Sequence, residues 1–545
     1  MTRLRTLLLP VLALLTFASA AAQVEYLPIE HPVYPWLERM QARGLLGKFS
    51  LAELPLPRAQ VNGALTSLRT DAAQLDASEL HLLEQFEREF GLTASRRASI
   101  FAHGDQQDLF FDGLFTDSEK SMYYDSTDRL RMYLQPLGAV EQRTQSADSS
   151  RSVLLGQGGL RFHGTVDNML GFYLQVTNGA AISGEKSLAL EDPRLSANVK
   201  FGDLDSDFDF AESHVRLARD WFGVSISRMR RLSGAGYFNR IFIGNLAPPM
   251  DALSVEADFE NFAYRFMHAS LVGSPQTSFQ FGPEALIPAK YMAYHRFALR
   301  GGWGQVSFTE QVMYSDRNID LAYLNPLSFF KSIEHSLRDR DNSALGLDAT
   351  IRPLDGVELR AAFFLDDLQF GRIGDEFSGN KTAWNVGLML APRLPLDAAL
   401  EYSRVRPYTY SHFNVQNSFS NDQVQLAGFL PPNSDQLAAR MRWWYGGRYP
   451  VTLEASFRRH GRNIYADDGE TLIKNVGGDV LQARRSEDSE ISPFLDGDVE
   501  RRFALGLAAG WEFIRGFNVH AVYRLDNVNG AAAHNFSLAF AFEDF

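Results

Sequence analysis

The chain contains no cysteine. Disulfides, cysteine-ligated zinc and a cysteine-borne lipid anchor are therefore excluded. After the N-terminus no apolar run reaches the roughly 18 residues that a membrane-crossing helix requires, which excludes a helical membrane protein. Basic residues are outnumbered, 53 Lys and Arg against 66 Asp and Glu, for a formal net charge of -13. No nucleic-acid partner is expected, because a phosphate backbone selects for a basic face. Aromatics are plentiful instead, 41 Phe and 19 Tyr among 545 residues, yet the mean hydropathy is only -0.20. A membrane β-barrel combines these properties, because its lumen residues dilute the lipid-facing ones.

The closing stretch shows the pattern most clearly. Phe503, Leu505, Leu507, Ala509, Trp511 and Phe513 alternate with Arg502, Ala504, Gly506, Ala508, Gly510 and Glu512. Strict period 2 puts the two sets on opposite faces of a strand. Phe517, Val519, Ala521, Tyr523 and Leu525 repeat the pattern, and so do Phe536, Leu538, Phe540 and Phe542. An apolar face with aromatics near the strand ends, opposite Gly, Ala and charge, is what lipid outside and a polar lumen inside require. The terminal Phe545 falls off this register and is expected at a bulge or a frayed end.

At the other terminus, Arg3 and Arg5, the apolar run Leu7 to Phe17 and the small residues Ala18 to Ala22 read as a secretory signal over 1–22. Residues 23–125 read as a periplasmic helical domain and linker. Val33, Trp36, Leu37 and Met40 share one helical face, as do Val61, Ala64, Leu65 and Leu68. Pro57 marks one helix start, and Asp76 with Glu79 forms a capping box for another carrying Leu82, Leu83, Phe86 and Phe90. Gly91 is its stop. Such short helices need one another, so a small bundle is expected, either capping the barrel mouth or docking export machinery.

Residues 126–545 read as paired strands. Tight turns are expected at Asp167-Asn168, Asp220-Trp221, Glu260-Asn261, Gly301-Gly302, Asp355-Gly356, Arg393-Leu394, Gly446-Gly447 and Arg515-Gly516. With a first strand near 129–142 and a last near 534–545, the count is eighteen, sixteen being the alternative. The fold class expected is an all-β transmembrane barrel of about eighteen antiparallel strands with a small N-terminal α-helical bundle. The long connections, near 142–152, 179–207, 232–251, 273–288, 316–342, 367–381, 407–434 and 461–498, then share one end. Function is sought there or in the lumen, because long connections without regular structure are commonly functional.

Four aspartates at spacing two lie in 201–210, but Phe208 and His214 stand where a calcium loop needs Gly and Glu. A loop entering a strand with an acidic lumen face is expected instead. Paired arginines recur, among them Arg228/Arg230, Arg404/Arg406, Arg440/Arg442, Arg458/Arg459 and Arg484/Arg485. Guanidinium groups suit the carboxylates of an acidic polysaccharide, or they neutralise lumen acids. The 323–348 segment concentrates charge around Asn325, Glu334, His335, Arg338 and Arg340, with a short helix expected from Leu327 to Leu337. Ser336 beside His335 is no evidence for a hydrolase, since a triad is a matter of geometry. At 401–437, Arg406, Tyr408, Tyr410 and His412 combine aromatic faces with hydrogen-bonding groups, the chemistry that sugar rings bind.

These segments resemble the capsule assembly Wzi family of outer-membrane proteins. The resemblance rests on His31-Pro-Val-Tyr-Pro-Trp-Leu-Glu-Arg-Met and Leu54-Pro-Leu-Pro-Arg-Ala-Gln-Val. It rests also on Asn325-Pro326 through Ser332-Ile-Glu-His335 to Asp341-Asn342, and on Arg406-Pro-Tyr-Thr-Tyr-Ser-His412 with Pro432-Asn-Ser-Asp435. It implies an eighteen-stranded barrel, a periplasmic bundle and an occluded pore; a monomer in the outer membrane is expected. It also implies a lectin-like hold on capsular polysaccharide; no enzyme activity, cofactor or metal is expected. A general or substrate-specific porin is the alternative.

Overall fold

The computed structural model describes residues 23–101, 108–147, 149–198, 201–202, 206–277 and 285–543, so the signal segment and Phe545 lie outside it. Eighteen antiparallel strands close a barrel, the last pairing with the first. They are β1 Leu130–Ser146, β2 Ser150–Val166, β3 Leu170–Gly184, β4 Asp207–Arg219, β5 Phe222–Met229 and β6 Met250–Asp258. Next come β7 Phe262–Val272, β8 Ala289–Gly301, β9 Gly304–Ser315, β10 Asn342–Leu354, β11 Val357–Asp367 and β12 Lys381–Leu390. The set ends with β13 Leu396–Val405, β14 Ser434–Trp443, β15 Val451–Arg462, β16 Asp498–Ile514, β17 Phe517–Val528 and β18 Ala531–Phe542. A short strand, Tyr123–Ser126, adds to the lower part of β1. The expected turns join these strands at one end, and Asp167, Asn168, Asp220, Gly356, Gly446 and Gly516 take the left-handed conformation there.

The wall has the expected two faces. Phe503, Leu507, Trp511 and Phe513 of β16 are exposed outward, as are Phe536 and Phe540 of β18. Ala504, Gly506 and Gly510 face inward, opposite Asp526, Arg524 and His520 of β17. Two sequence expectations fail. The first connection is 147–149 rather than 142–152, because β1 and β2 each run on for 17 residues. Arg143 pairs with Asp192 at 3.1 Å and Gln145 bonds Glu191 at 2.9 Å, so the 185–206 connection holds these strand ends. Asp207 and Asp209 do not make an acidic lumen face: unbroken pairing with β3 puts them on the side of the exposed Val215 and Leu217. Phe208 points inward instead, into a cluster with Leu188, Leu195 and Phe201.

Three helices fill the turn end: α1 Val33–Ala42, α2 Arg58–Thr70 and α3 Ala77–Glu89. Their apolar stripes meet in one core, where Trp36, Leu37, Met40, Val61, Leu65, Leu68, Leu82, Leu83 and Phe86 are wholly buried. The capping box of α3 is closed, Glu79 N donating to Asp76 at 2.9 Å and Asp76 N to Glu79 at 3.0 Å. Gly91, at φ +69°, ends the helix. The bundle is tied to the wall through Arg39, which donates to Glu79 and to the carbonyls of Pro392, Leu394 and Leu396. Glu38 on α1 meets Arg360, Arg440 and Arg442 of the wall at 3.0, 2.7 and 3.0 Å.

Above the bundle two connections fold inward. Residues 230–249 descend into the lumen, where the Tyr237 and Asn239 N–H groups donate to Glu401 at 2.6 and 2.9 Å. Phe242 lies against the bare backbone of Gly346, where a Cβ would stand 2.3 Å from the ring. Residues 406–433 come down from the same end, Gly244 N donating to the Leu426 carbonyl at 2.7 Å and Phe429 N to Asn239 at 2.9 Å. Bundle and inserts stack along the barrel axis, around a core that includes Ile241, Phe242, Ile243, Leu426 and Leu430.

Candidate functional site

At the loop end a cavity of about 780 Å³ opens between the 316–341, 368–380, 406–433 and 463–497 connections. Its floor is made by the ends of β10, β11 and β12, which contribute Asn342, Asp366, Asp367 and Lys381. One wall is a short helix, Phe330–Ser336, close to the Leu327 to Leu337 expected. Glu310 of β9, itself fully buried, accepts from the N–H groups of Phe330 and Lys331 at 2.9 and 2.7 Å. A carboxylate there satisfies free helix donors and suits the positive end of the helix dipole. The Phe330 ring then stacks on His295, with centroids 4.5 Å apart. The opposite wall comes from the 368–380 and 463–497 connections, which join where Phe377 bridges Ile491.

The structure brings together four of the residues expected to act. Glu334, His335, Tyr408 and His412 all line the cavity. Glu334 is buried and bonded to Lys331 at 2.6 Å and to the Ser343 hydroxyl. His335 is exposed, 3.7 Å from Asp339. Those three groups converge closely enough to suggest a cation site, but the Lys331 ammonium already neutralises Glu334. Burial pushes the His412 imidazole down to about 4, and Lys381 adds to the shift, so His412 is neutral at pH 7. Ser336 donates to its own helix, at the Ser332 carbonyl, 3.0 Å away.

The alternation read into Tyr408, Tyr410 and His412 is corrected by the backbone. Residues 406–412 are a run of turns, with Tyr408 at φ +60° and Tyr410 at φ +74°. Thr409 N bonds the Arg406 carbonyl and Ser411 N the Tyr408 carbonyl. Tyr410 is wholly buried beneath the cavity, its ring edge-on to Phe364 and Phe419. Tyr408 is 1% exposed, with its hydroxyl donating to the Asn475 carbonyl at 3.0 Å. Neither ring offers a free face for a sugar to stack on. Arg406 lies outside the cavity wall, half-buried, with burial and the neighbouring Arg404 lowering its pKa. Asn325, Arg338 and Arg340 are exposed on the 316–341 connection but do not line the cavity. Asn325 instead accepts from Leu327 N at 3.1 Å, and Arg338 is left-handed at φ +70°.

Open aromatic faces come from residues that the sequence did not single out. Phe370 is 80% exposed and Phe413 74% exposed, both on the cavity wall, with Phe377 between connections under the Arg372 guanidinium. Arg484, Lys381 and Glu490 supply charge around them. An exposed phenylalanine in a polar connection was the available signal. Most of the paired arginines neutralise acids: Arg228 with Asp251, Arg458 with Glu500, Arg459 with Asp435 and Arg485 with Asp488. Arg404 differs, its guanidinium lying 3.8 Å from the Phe494 ring.

Together these features define an outer-membrane-type β-barrel with a plugged lumen and a recessed, mixed aromatic and charged cavity at its loop end. The whole architecture is similar to that of a solved Escherichia coli protein, Wzi, described as an outer-membrane protein involved in group 1 capsule assembly and as a carbohydrate-binding β-barrel. The TM-score is 0.57 at 11% identity, covering 95% of this chain and 99% of that one, and at such identity the likeness shows the fold. Two further solved structures also match, Pseudomonas aeruginosa OccK8 (OprE) and Acinetobacter baumannii OccAB2. Each has a TM-score of 0.43 at 9% identity and covers 75% of this chain and 97% of its own. No protein-family model and no curated protein sequence matches the chain.

Proposed function

We propose that this protein sits in the outer membrane and holds an exported surface polysaccharide, of the capsular kind, at its loop end without cleaving it. The observation that carries the reading is the cavity itself, where the open rings of Phe370 and Phe413 stand beside Lys381, Arg484, Glu490 and Asp367. Apolar ring faces with convergent hydrogen-bonding groups suit sugars, and the cationic groups suit uronic acids. The axial plug adds support, since a lumen filled by α1, 230–249 and 406–433 favours a fixed anchor over a conduit. Removing the gene is expected to release polysaccharide into the medium with synthesis intact. Unchanged cell-bound polysaccharide would sink the reading. The periplasmic face of the bundle is the place where export machinery would dock.

One observation favours a substrate-selective porin as the second reading. Beside the plug, Arg440, Arg458, Arg502 and Arg524 line an inner cavity of about 410 Å³. It shares Leu246, Phe429 and Arg458 with a mouth cavity of about 820 Å³. Planar-bilayer recording separates the two: a closed barrel supports the anchor, a large steady current the porin.

A further inference from the structure

The linker between bundle and barrel carries some of the most exposed aromatic residues in the chain. Phe111 and Phe115 are each 73% exposed, Leu109 is 62% exposed and Phe101 60%. They lie on or beside a small outlying unit, in which Asp108–Leu109 and Glu119–Ser121 flank Arg97–Ser99 and a helical turn, Phe110–Gly113, packs against them. Gly113 allows that close seating, since a Cβ there would stand 2.5 Å from the Ala98 Cβ. A folded, well-seated unit has no intramolecular reason to leave four large apolar side chains in water.

Its position supplies the reason. Phe115 stacks on Phe517, centroids 6.0 Å apart and planes 14° apart, and Phe110 meets Phe542 edge-on at 6.3 Å. Phe517 and Phe542 belong to the outer, apolar face of β17 and β18 at the turn end and touch each other at 4.9 Å. Phe513 continues the string to Trp511, which is itself 61% exposed. The exposed linker rings therefore extend the barrel's own outward-facing aromatic girdle. The unit is also clamped there, because the buried Lys120 donates to the carbonyls of Thr116, Ser118 and Arg515 at 2.6, 2.9 and 2.7 Å. Arg515 in turn holds Glu119 at 2.8 Å.

We infer that the segment Leu109–Phe115, with Phe101, is an interfacial membrane anchor, its rings inserted among the phospholipids of the leaflet that surrounds the turn end of the barrel. Aromatic side chains favour that depth, where the ring meets acyl chains close to the headgroups. The anchor fixes the linker against the outside of the wall while α1 to α3 occupy the inside, so the chain grips the barrel rim from both sides.

The absence of native cysteine makes a direct test available. Phe111→Cys and Phe115→Cys are labelled with a nitroxide in the full-length barrel, reconstituted in phosphatidylethanolamine–phosphatidylglycerol vesicles. Leu507→Cys, on the outer wall, and Ser67→Cys, on the exposed side of α2, serve as lipid and water references. Collision with oxygen against a water-soluble nickel chelate is read by power saturation, and heat-modifiable migration verifies folding. Labels at 111 and 115 are expected to favour oxygen over nickel, as 507 does and 67 does not, with a shallower depth than 507. Labels at 111 and 115 that match 67 in vesicles overturn the anchor. Labels shielded from both reagents overturn it too, because that outcome assigns the surface to a protein partner.

Discussion

The carboxylate of Glu38, on the first helix of the plug, lies 2.7 Å from the guanidinium of Arg440 on the barrel wall. Arg360 and Arg442 converge on the same carboxylate. Burial alone would raise its pKa, but Arg440, Arg442 and Arg360 outweigh burial and hold it far below the carboxylate range. Removing one partner of a buried ion cluster costs roughly 3–5 kcal/mol, because the remaining charges stay buried. Glu38→Gln is therefore expected to loosen the plug, seen as a lower thermal midpoint and new conductance events in planar bilayers. The pH dependence follows from the depressed pKa. This stabilisation is complete above the unfolded-chain value of about 4.3 and declines as pH falls below it. In wild type the loss is expected to begin below about pH 4 and to finish only well under the ordinary carboxylate range, and the Glu38→Gln variant is expected to lack this part of the acid dependence.

A second titration concerns His31, which bonds Glu89 at 2.8 Å behind α3. Burial pushes this imidazole down to about 4, against the pull of Glu89 and with Arg448 and Arg58 adding to the fall. A depressed pKa means that the folded bundle favours neutral His31. Its contribution is full above about 6.5 and is lost as pH falls toward about 4. Hydrogen exchange of α3 amides is expected to accelerate across that window, and His31→Gln is expected to remove the dependence while keeping the bond to Glu89.

Glycine at 346 is what lets the 230–249 insert seat itself, since its missing side chain is the space that Phe242 fills. Gly346→Leu is expected to expel the Phe242 ring and to destabilise the insert by about 1–3 kcal/mol, the usual range for overpacking. Protease cleavage within 230–249, with the strands intact, is the readout.

The wall was legible in the sequence because lipid and lumen impose opposite demands on alternate residues. Trp511 and Gly510, one position apart, could not exchange faces. The helices were legible for the corresponding reason, Trp36 and Met40 sharing a stripe. The plug's main contact was not legible, because Glu38 finds Arg360 and Arg440 at separations of 322 and 402 residues. The cavity was legible only in part. Phe370, Phe413 and Arg484 come from three different connections, and no spacing relates them. Around Tyr408 and Tyr410, positive φ values break the alternation from which a shared face was read.

That break separates residues that shape the cavity from residues able to meet a glycan. The Tyr410 hydroxyl is buried with no hydrogen-bond partner among the described residues, whereas the Tyr408 hydroxyl donates to the Asn475 carbonyl. Deleting an unsatisfied hydroxyl is neutral or stabilising, and deleting a satisfied one costs about 1 kcal/mol. Tyr410→Phe is therefore expected to leave protection of the 406–433 backbone unchanged or improved, and Tyr408→Phe to weaken it. Tyr410→Ala is expected to cost about 3–5 kcal/mol by emptying the space between Phe364 and Phe419. Phe370→Ala and Phe413→Ala remove rings that are largely in solvent, so stability is expected to change by no more than about 0.5 kcal/mol. Glycan binding is expected to fall in both, measured by calorimetry with purified surface polysaccharide. If both leave binding intact while Tyr410→Ala abolishes it, the glycan contacts the loop framework rather than the open rings.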